Sequence, residues 1–217
     1  MCDEAIRIAV GLCLGLNLCE AHTCPCGALV SARGIHGLSC KRSPGRSSHH
    51  HQVNDLILRA LKRCDVPATK ERSGLLRDDG KRSDGLTLVP WWNGRCLTQD
   101  AKVVDSLAPS YLSVASSLPG SVAEAAVARK RSKYVAIMLT HIFVPVVVET
   151  LGPVNTEGLR FLNQIGDSFL PLPETHASRP SYIRLVQRFN MIAFRGSFIR
   201  DGHRSLATSD TDFIFSF

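Results

Sequence analysis

The stretch that decides the fold is "SDGLTLVPWWNGRCLTQDAKVVD", Ser83–Asp105. Two strand-prone segments, "SDGLTLVP" and "RCLTQDAKVVD", flank "WWNG". Asn-Gly between such segments is a strong short-range hairpin signal, because both residues tolerate the positive φ of a tight primed turn. The reading is a β-hairpin with Asn93-Gly94 in or near its turn. Folding there sets Asp84, at the start of one strand, roughly opposite Asp100 on the next. Alternation along a strand puts Asp100 and Lys102 on one face.

Working outward, "VPATKE" reads as a short strand ahead of the hairpin. Before it, "SHHHQVNDLILRALKRC" reads as a helix: Val53, Leu56, Ile57, Ala60 and Leu61 form one stripe, Ser48 is its N-cap, and Pro67 lies just beyond its end. After the hairpin, "SVAEAAVARKRSKYVAIML" reads as one helix announced by Pro119-Gly120. "IFVPVVVET" is a continuous β-branched run, the signature of a strand covered on both faces. "TEGLRFLNQIGDSFL" and "SYIRLVQRFNMIAFRGSF" read as two further helices, followed by a polar tail that carries no assignment. At the other end, residues 3–18 repeat apolar groups at helical spacing, although two glycines interrupt them; residues 19–48, rich in Cys, Gly, Ser and Arg, read as irregular loop. The pattern is an α/β core with a mixed sheet. The expected divisions are an N-terminal helix (1–18), a cysteine-rich segment (19–48), the α/β domain (49–200) and a polar tail (201–217).

The 217 residues are enough for one domain with appendages, and 44% hydrophobic with 21% charged residues is ordinary for a globular protein. A net charge of +7 points to a polyanionic partner, nucleic acid above all; solubility alone is the plainer alternative. Eight cysteines, half of them between Cys13 and Cys26, are too unevenly placed for a secreted disulfide scaffold. The chain begins Met1-Cys2-Asp3-Glu4, acidic where a signal peptide is basic, and the apolar run Ile8 to Leu16 is too short to span a bilayer. The expectation is a reducing, intracellular setting with no membrane partner.

Two constellations carry chemistry. In "CPCGALVSARGIHGLSC", Cys24, Cys26, His36 and Cys40 offer three sulfurs and one imidazole nitrogen, a set that matches tetrahedral Zn²⁺. The alternative is loose thiols near a chance histidine; Cys19 could replace a ligand, and His22 is a weaker rival. Four protein ligands leave no open position, so such a site is structural rather than catalytic. On the hairpin, Asp84 and Asp100 offer the hard oxygens that bind Mg²⁺, and Lys102 could orient a water or stabilise transition-state charge. The plainer reading is two solvated acids with a salt-bridged lysine. Against it, the strand around Asp100 and Lys102 is otherwise apolar, and Lys70, Arg72, Arg77, Lys81, Arg82 and the run Arg129 to Lys133 make the surroundings basic, which suits phosphodiester hydrolysis.

"CPCG…HGLSC", "HHHQVNDLI", "GKRSDGLTLVPW" and "QDAKVVD", in that order, resemble the restriction-enzyme-like endonuclease region that follows the reverse transcriptase in some site-specific non-LTR retrotransposon proteins. The resemblance runs from about Asp3 to about Gly196. It implies a PD-(D/E)xK-type fold, a restriction-endonuclease-like core preceded by a zinc knuckle, and metal-dependent nicking of target DNA, with the element's RNA as a further candidate partner and a nuclear location. By position, Cys24, Cys26, His36 and Cys40 look like the knuckle, His50 like the motif histidine near the scissile phosphate, Asp84 like the first acid, and Asp100 with Lys102 like the Asp-x-Lys. His49 stands where the family has arginine, and Ser83 where it has proline. Glu71, Lys133 and Tyr134 are weaker supporting candidates, with a surface contact the plainer role for Glu71 and Tyr134. No reverse transcriptase is present, so the chain reads as a fragment of a longer element protein, and the runner-up functions are a non-catalytic nucleic-acid-binding zinc module or a decayed copy.

Overall fold

A computed structural model of the chain describes residues 3–40, 42, 45–70 and 83–168. The helix expected over 181–198 and the tail lie outside them, as do Glu71, Arg72, Arg77, Lys81 and Arg82. The chain divides into two compact units, with the boundary in this region at 48/49.

In the first unit, α1 (Asp3–Leu14) is shorter than the periodicity of residues 3–18 suggests. Gly15 ends it at φ +68°, and Gly15 N–H donates to Leu12 O (3.2 Å) while Leu16 N–H donates to Gly11 O (2.8 Å). That paired motif absorbs the carbonyls a helix end leaves free. Gly11, inside the helix, leaves room for Leu18: a Cβ there would come within 2.3 Å of its Cδ2. The segment expected to be irregular holds a two-stranded antiparallel ribbon, β1 (His22–Thr23) with β2 (Leu29–Val30), and one helical turn, α2 (His36–Ser39).

α3 (Gly45–Arg63) starts three residues before Ser48, so Ser48 is inside the helix rather than its cap. In the second unit a four-stranded sheet has the order β3 (Ala68–Lys70), β4 (Gly85–Thr87), β5 (Leu97–Val104), β6 (Ile142–Glu149). The first two pairings are antiparallel and β5–β6 is parallel, so the sheet is mixed. The β4–β5 hairpin turns at Asn93 (φ 47°) and Gly94 (φ 72°), with Trp92 bridged to Arg95. Two consecutive positive φ values are what a primed two-residue turn demands.

One sheet face packs α3 through Val53, Leu56, Ile57, Ala60 and Leu61, together with α7 (Thr156–Ser168) through Phe161, Leu162 and Ile165. Both meet Leu97, Ala101, Val144, Val146 and Val148. The other face packs α5 (Ser121–Lys133), whose Val122, Ala123, Ala126 and Val127 cover Val104 and Val147. β6 is thus buried on both faces, as its β-branched run implies. A short helix, α4 (Leu112–Ser117), precedes α5 and has no buried residue.

The helix expected from Ser121 breaks at Tyr134 (φ −110°, ψ 18°) and resumes as α6 (Val135–Met138). Tyr134 is buried with its ring 4.6 Å from that of Phe143, and this packing overrides a locally helical sequence. Among the described residues β6 forms the sheet edge beyond β5, and a loop covers it. Asn155 Nδ2 donates to Pro145 O (3.1 Å), Val147 N–H to Asn155 Oδ1 (2.8 Å), Asn155 N–H to Val147 O (3.0 Å) and Glu149 N–H to Pro153 O (2.8 Å). Gly158 lets α7 approach this knot: a Cβ would lie 2.5 Å from Asn155 Oδ1. Among the described residues no helix is long and apolar enough to cross a membrane.

Candidate metal centres

In the first unit, Cys24, Cys26, His36 and Cys40 converge, with one ligand atom from each lying within 4.8 Å of all the others. Cys24 Sγ is 3.6 Å from Cys40 Sγ, and Cys26 Sγ is 3.2 Å from His36 Nε2. A disulfide is ruled out for the first pair, since a bonded S–S distance is about 2.0 Å. Tetrahedral zinc at the usual bond lengths separates sulfurs by about 3.8 Å and sulfur from nitrogen by about 3.5 Å, close to what is seen.

The local folding explains the convergence. Gly27 (φ 89°) turns the chain after Cys26, with its N–H bonded to Cys24 O (2.8 Å), and α2 sets His36 and Cys40 one turn apart. Cys24 and Cys40 are buried with Val30. Backbone N–H groups approach the sulfurs. The one from Ala28, followed by the Cys24 thiol, holds Cys26 down at about 7. At Cys24 the Cys26 N–H acts in the same direction, but burial and the neighbouring thiols outweigh it and push the group up to about 11. A cluster of this kind deprotonates fully when a cation replaces the shared protons. Cys19 and His22 take other partners. Cys19 Sγ donates to Ser31 O (3.5 Å) and Ala32 O (3.6 Å), and His22 Nδ1 bonds Glu20 O (2.8 Å).

In the second unit, ligand atoms of His50, Asp84 and Asp100 likewise lie within 4.8 Å of one another. The register that pairs Gly85 with Gln99 sets Asp84 beside Asp100, and Asp84 N–H donates to Gln99 O (3.0 Å). The two carboxyls meet rather than pointing to opposite faces. Asp84 Oδ1 is 3.2 Å from His50 Nε2, and Asp84 Oδ2 accepts the Ala101 N–H at 2.7 Å. Burial, then the adjacent Asp100 carboxylate, pushes Asp84 up to about 8.

His50 reaches the pair from α3 and is braced from behind. Asn54, one turn along, donates Nδ2 to His50 Nδ1 (3.3 Å), and Gln99 Nε2 donates to Asn54 Oδ1 (3.4 Å). In this sense of the bonds Nε2 carries its proton toward Asp84; reversing both amides bares the Nε2 lone pair for a cation. Gln99 lies over Gly85, where a Cβ would come within 2.7 Å of its Nε2.

The lysine at this site is Lys130, not the expected Lys102. Lys130 Nζ donates to Asp100 Oδ2 and to Ala101 O (3.3 Å), and its side chain is 11% exposed. Lys102 shares Asp100's face of the strand but is exposed, with no ion pair among the described residues. Partial desolvation, then repulsion from Lys130, Arg129 and Lys133, lowers its ammonium below the usual lysine range. A sequence signal for Lys130 existed. It falls four residues after Ala126 and seven after Ala123, on the buried stripe of α5, where a charge needs a partner. Tyr134 packs in a small cluster with Ile137 and Phe143, and Lys133 is exposed; the side chain of His49 lies outside the described residues.

Comparison of the chain with protein-family models and with curated proteins finds no match in either.

Proposed function

We propose that the second unit is a divalent-metal-dependent DNA endonuclease with a restriction-endonuclease-like core, and that the Cys₃His cluster holds a structural zinc ion. The observation that carries the reading is the convergence of His50, Asp84 and Asp100 with Lys130 on Asp100. Two carboxylates and an imidazole are a fitting donor set for Mg²⁺ or Mn²⁺. The cation, when bound, polarises the scissile phosphoryl group and lowers the pKa of the attacking water. Asp84 and Asp100 supply its oxygen ligands. His50, held by Asn54, fixes the Asp84 carboxylate or joins the ligand set. Lys130 presents a nearly buried ammonium where negative charge develops. Lys102, Arg129 and Lys133 form an exposed basic rim that draws phosphates toward an otherwise repelling acid pair. The motif order shared with retrotransposon endonuclease regions supports the same reading and makes target-site nicking the expected outcome.

The Lys130–Asp100 ion pair favours one rival, a DNA-binding unit in which the acids are neutralised and inert. Supercoiled plasmid with Mg²⁺ separates the two. The full chain is expected to yield nicked circles, and Asp100→Ala to reduce them to background. Lys130→Met should lower the rate roughly 100-fold, the usual scale for a group that stabilises transition-state charge. Lys102→Met should cost only a few-fold, growing with salt. Equal nicking by the parent and Asp100→Ala preparations would establish the inert reading.

A further inference from the structure

Trp91 and Trp92 are neighbours at the hairpin tip and do opposite things. Trp91 turns inward and meets the Phe161 ring edge-on at 5.7 Å. Trp92 is 68% exposed. Its support is stiff: Trp91 N–H donates to Arg95 O (2.8 Å), Arg95 N–H to Trp92 O (3.0 Å), and the turn between is the tight Asn93-Gly94 pair. Leu88 and Val89 are also exposed, and so is Arg95, bridged to Trp92 across the turn. No acidic residue occurs from Gly85 through Gln99. The tip therefore offers an apolar wedge, an aromatic face and a guanidinium in an acid-free stretch. Farther from the turn, Asp84 immediately precedes β4 and Asp100 lies in the middle of β5.

We infer that this tip is a nucleobase-stacking contact, resting on the DNA endonuclease reading above. Trp92 stacks on or wedges into a base step, Arg95 holds a flanking phosphate, and the hairpin acts as a ruler between that step and the cut. An indole serves every base, since each has a π-face, and wedging apolar side chains kink duplexes at the step they enter. A protein-docking tip also uses tryptophan, but here the charge is of one sign and the strands are shared with the acid pair, so the occupant is DNA. Arg95 lies five positions before Asp100. At about 3.3 Å per residue the tip reaches about 17 Å from the acids, or about five base steps of duplex.

The chain has two tryptophans, so Trp91→Phe leaves Trp92 as the only indole emitter. A duplex oligonucleotide carrying 2-aminopurine at successive positions is titrated in without divalent metal. Emission from Trp92 is expected to be quenched saturably, and 2-aminopurine to respond about five steps from the nick mapped separately with Mg²⁺. The 2-aminopurine signal is also read with the unsubstituted chain, which removes any dependence on tolerance at position 91. Trp92→Leu should weaken binding about tenfold and blur the nick position, with Trp92→Tyr restoring part of both. Arg95→Gln should lower the salt slope by about one. Unchanged emission at saturating DNA, or Trp92→Leu nicking at the same place with the same affinity, overturns the inference. So does a Trp92-dependent dimer in sedimentation, which would assign the tip to a second copy. Nicking without quenching removes this inference alone; quenching without nicking removes the nuclease reading and leaves the stacking contact standing.

Discussion

In Asp84→Asn, nicking is expected to fall to background and the metal-free protein to become more stable at alkaline pH. Both effects come from one arrangement. Asp84 lies with its carboxyl nearly buried against Asp100, and its folded pKa is about 8 against an ordinary value of 3.8. A raised carboxyl contributes stability that is fully present below the unfolded value and is lost as pH rises through the folded one. The metal-free parent therefore weakens progressively between about pH 4 and pH 8. A rise from 3.8 to about 8 corresponds to roughly 6 kcal/mol at most. The lowering by the Ala101 N–H and Lys130 is already contained in that value, and screening by residual solvent reduces it to a few kcal/mol. Asparagine keeps an acceptor for Ala101 and carries no charge to desolvate. Melting curves without metal should coincide near pH 4 and diverge by roughly 5–10 °C near pH 9, the variant higher. Mg²⁺ should raise the parent's midpoint most where the carboxyl is ionised and leave the variant's unchanged. A variant less stable than the parent at pH 9 would mean that Asp84 is kept for packing and not for a cation. Enzymes commonly hold such strained charge at the site that uses it.

Removing zinc should unfold the first unit, the other large effect. Among the described side chains of residues 3–40 the buried hydrophobic ones are Leu12, Cys24, Val30 and Cys40. So small a core cannot offset the chain entropy of that many residues without a cross-link. Structural zinc contributes on the order of 10 kcal/mol or more in small finger domains, nearly all of it as folding free energy. The full chain should carry one zinc per molecule by elemental analysis. Cys24→Ser, Cys26→Ser, His36→Ala and Cys40→Ala should each lose it, together with helical circular dichroism from α1 and α2. Cys13→Ala and Cys19→Ala should keep it. Zinc retained in Cys40→Ala, or equally lost in Cys19→Ala, would refute the ligand assignment.

Asn93-Gly94 fixed the hairpin because a primed turn has few solutions, and once that turn is set the register opposes Asp84 and Asp100. The stripe from Val53 to Leu61 and the run from Ile142 were legible because burial imposes a period. The break at Tyr134 was not, because the ring's partner, Phe143, is nine residues on. Lys130's place on the buried stripe of α5 was legible, but its partner, thirty residues back at Asp100, was not: which lysine meets the acid depends on how α5 seats on Val104 and Val147. The ribbon and the turn at His36 were hidden for a related reason. Two-residue strands have no period to detect, and their order comes from the converging side chains.

The knot around Asn155 has a consequence for the protein in a crowded cell. "IFVPVVVE" has a single charge, at its last residue, and a bare edge of it would be a template for pairing with any extended chain, the first step toward insoluble fibrils. Pro145 offers no donor there, and one amide side chain occupies the carbonyl of Pro145 and the N–H of Val147. Together with the backbone bonds of Pro153 and Asn155, that one side chain keeps the edge of the sheet's most apolar strand covered. Loss of that amide exposes a sticky edge on an otherwise folded molecule, and aggregation during expression, before any loss of chemistry, is how such damage would first be noticed.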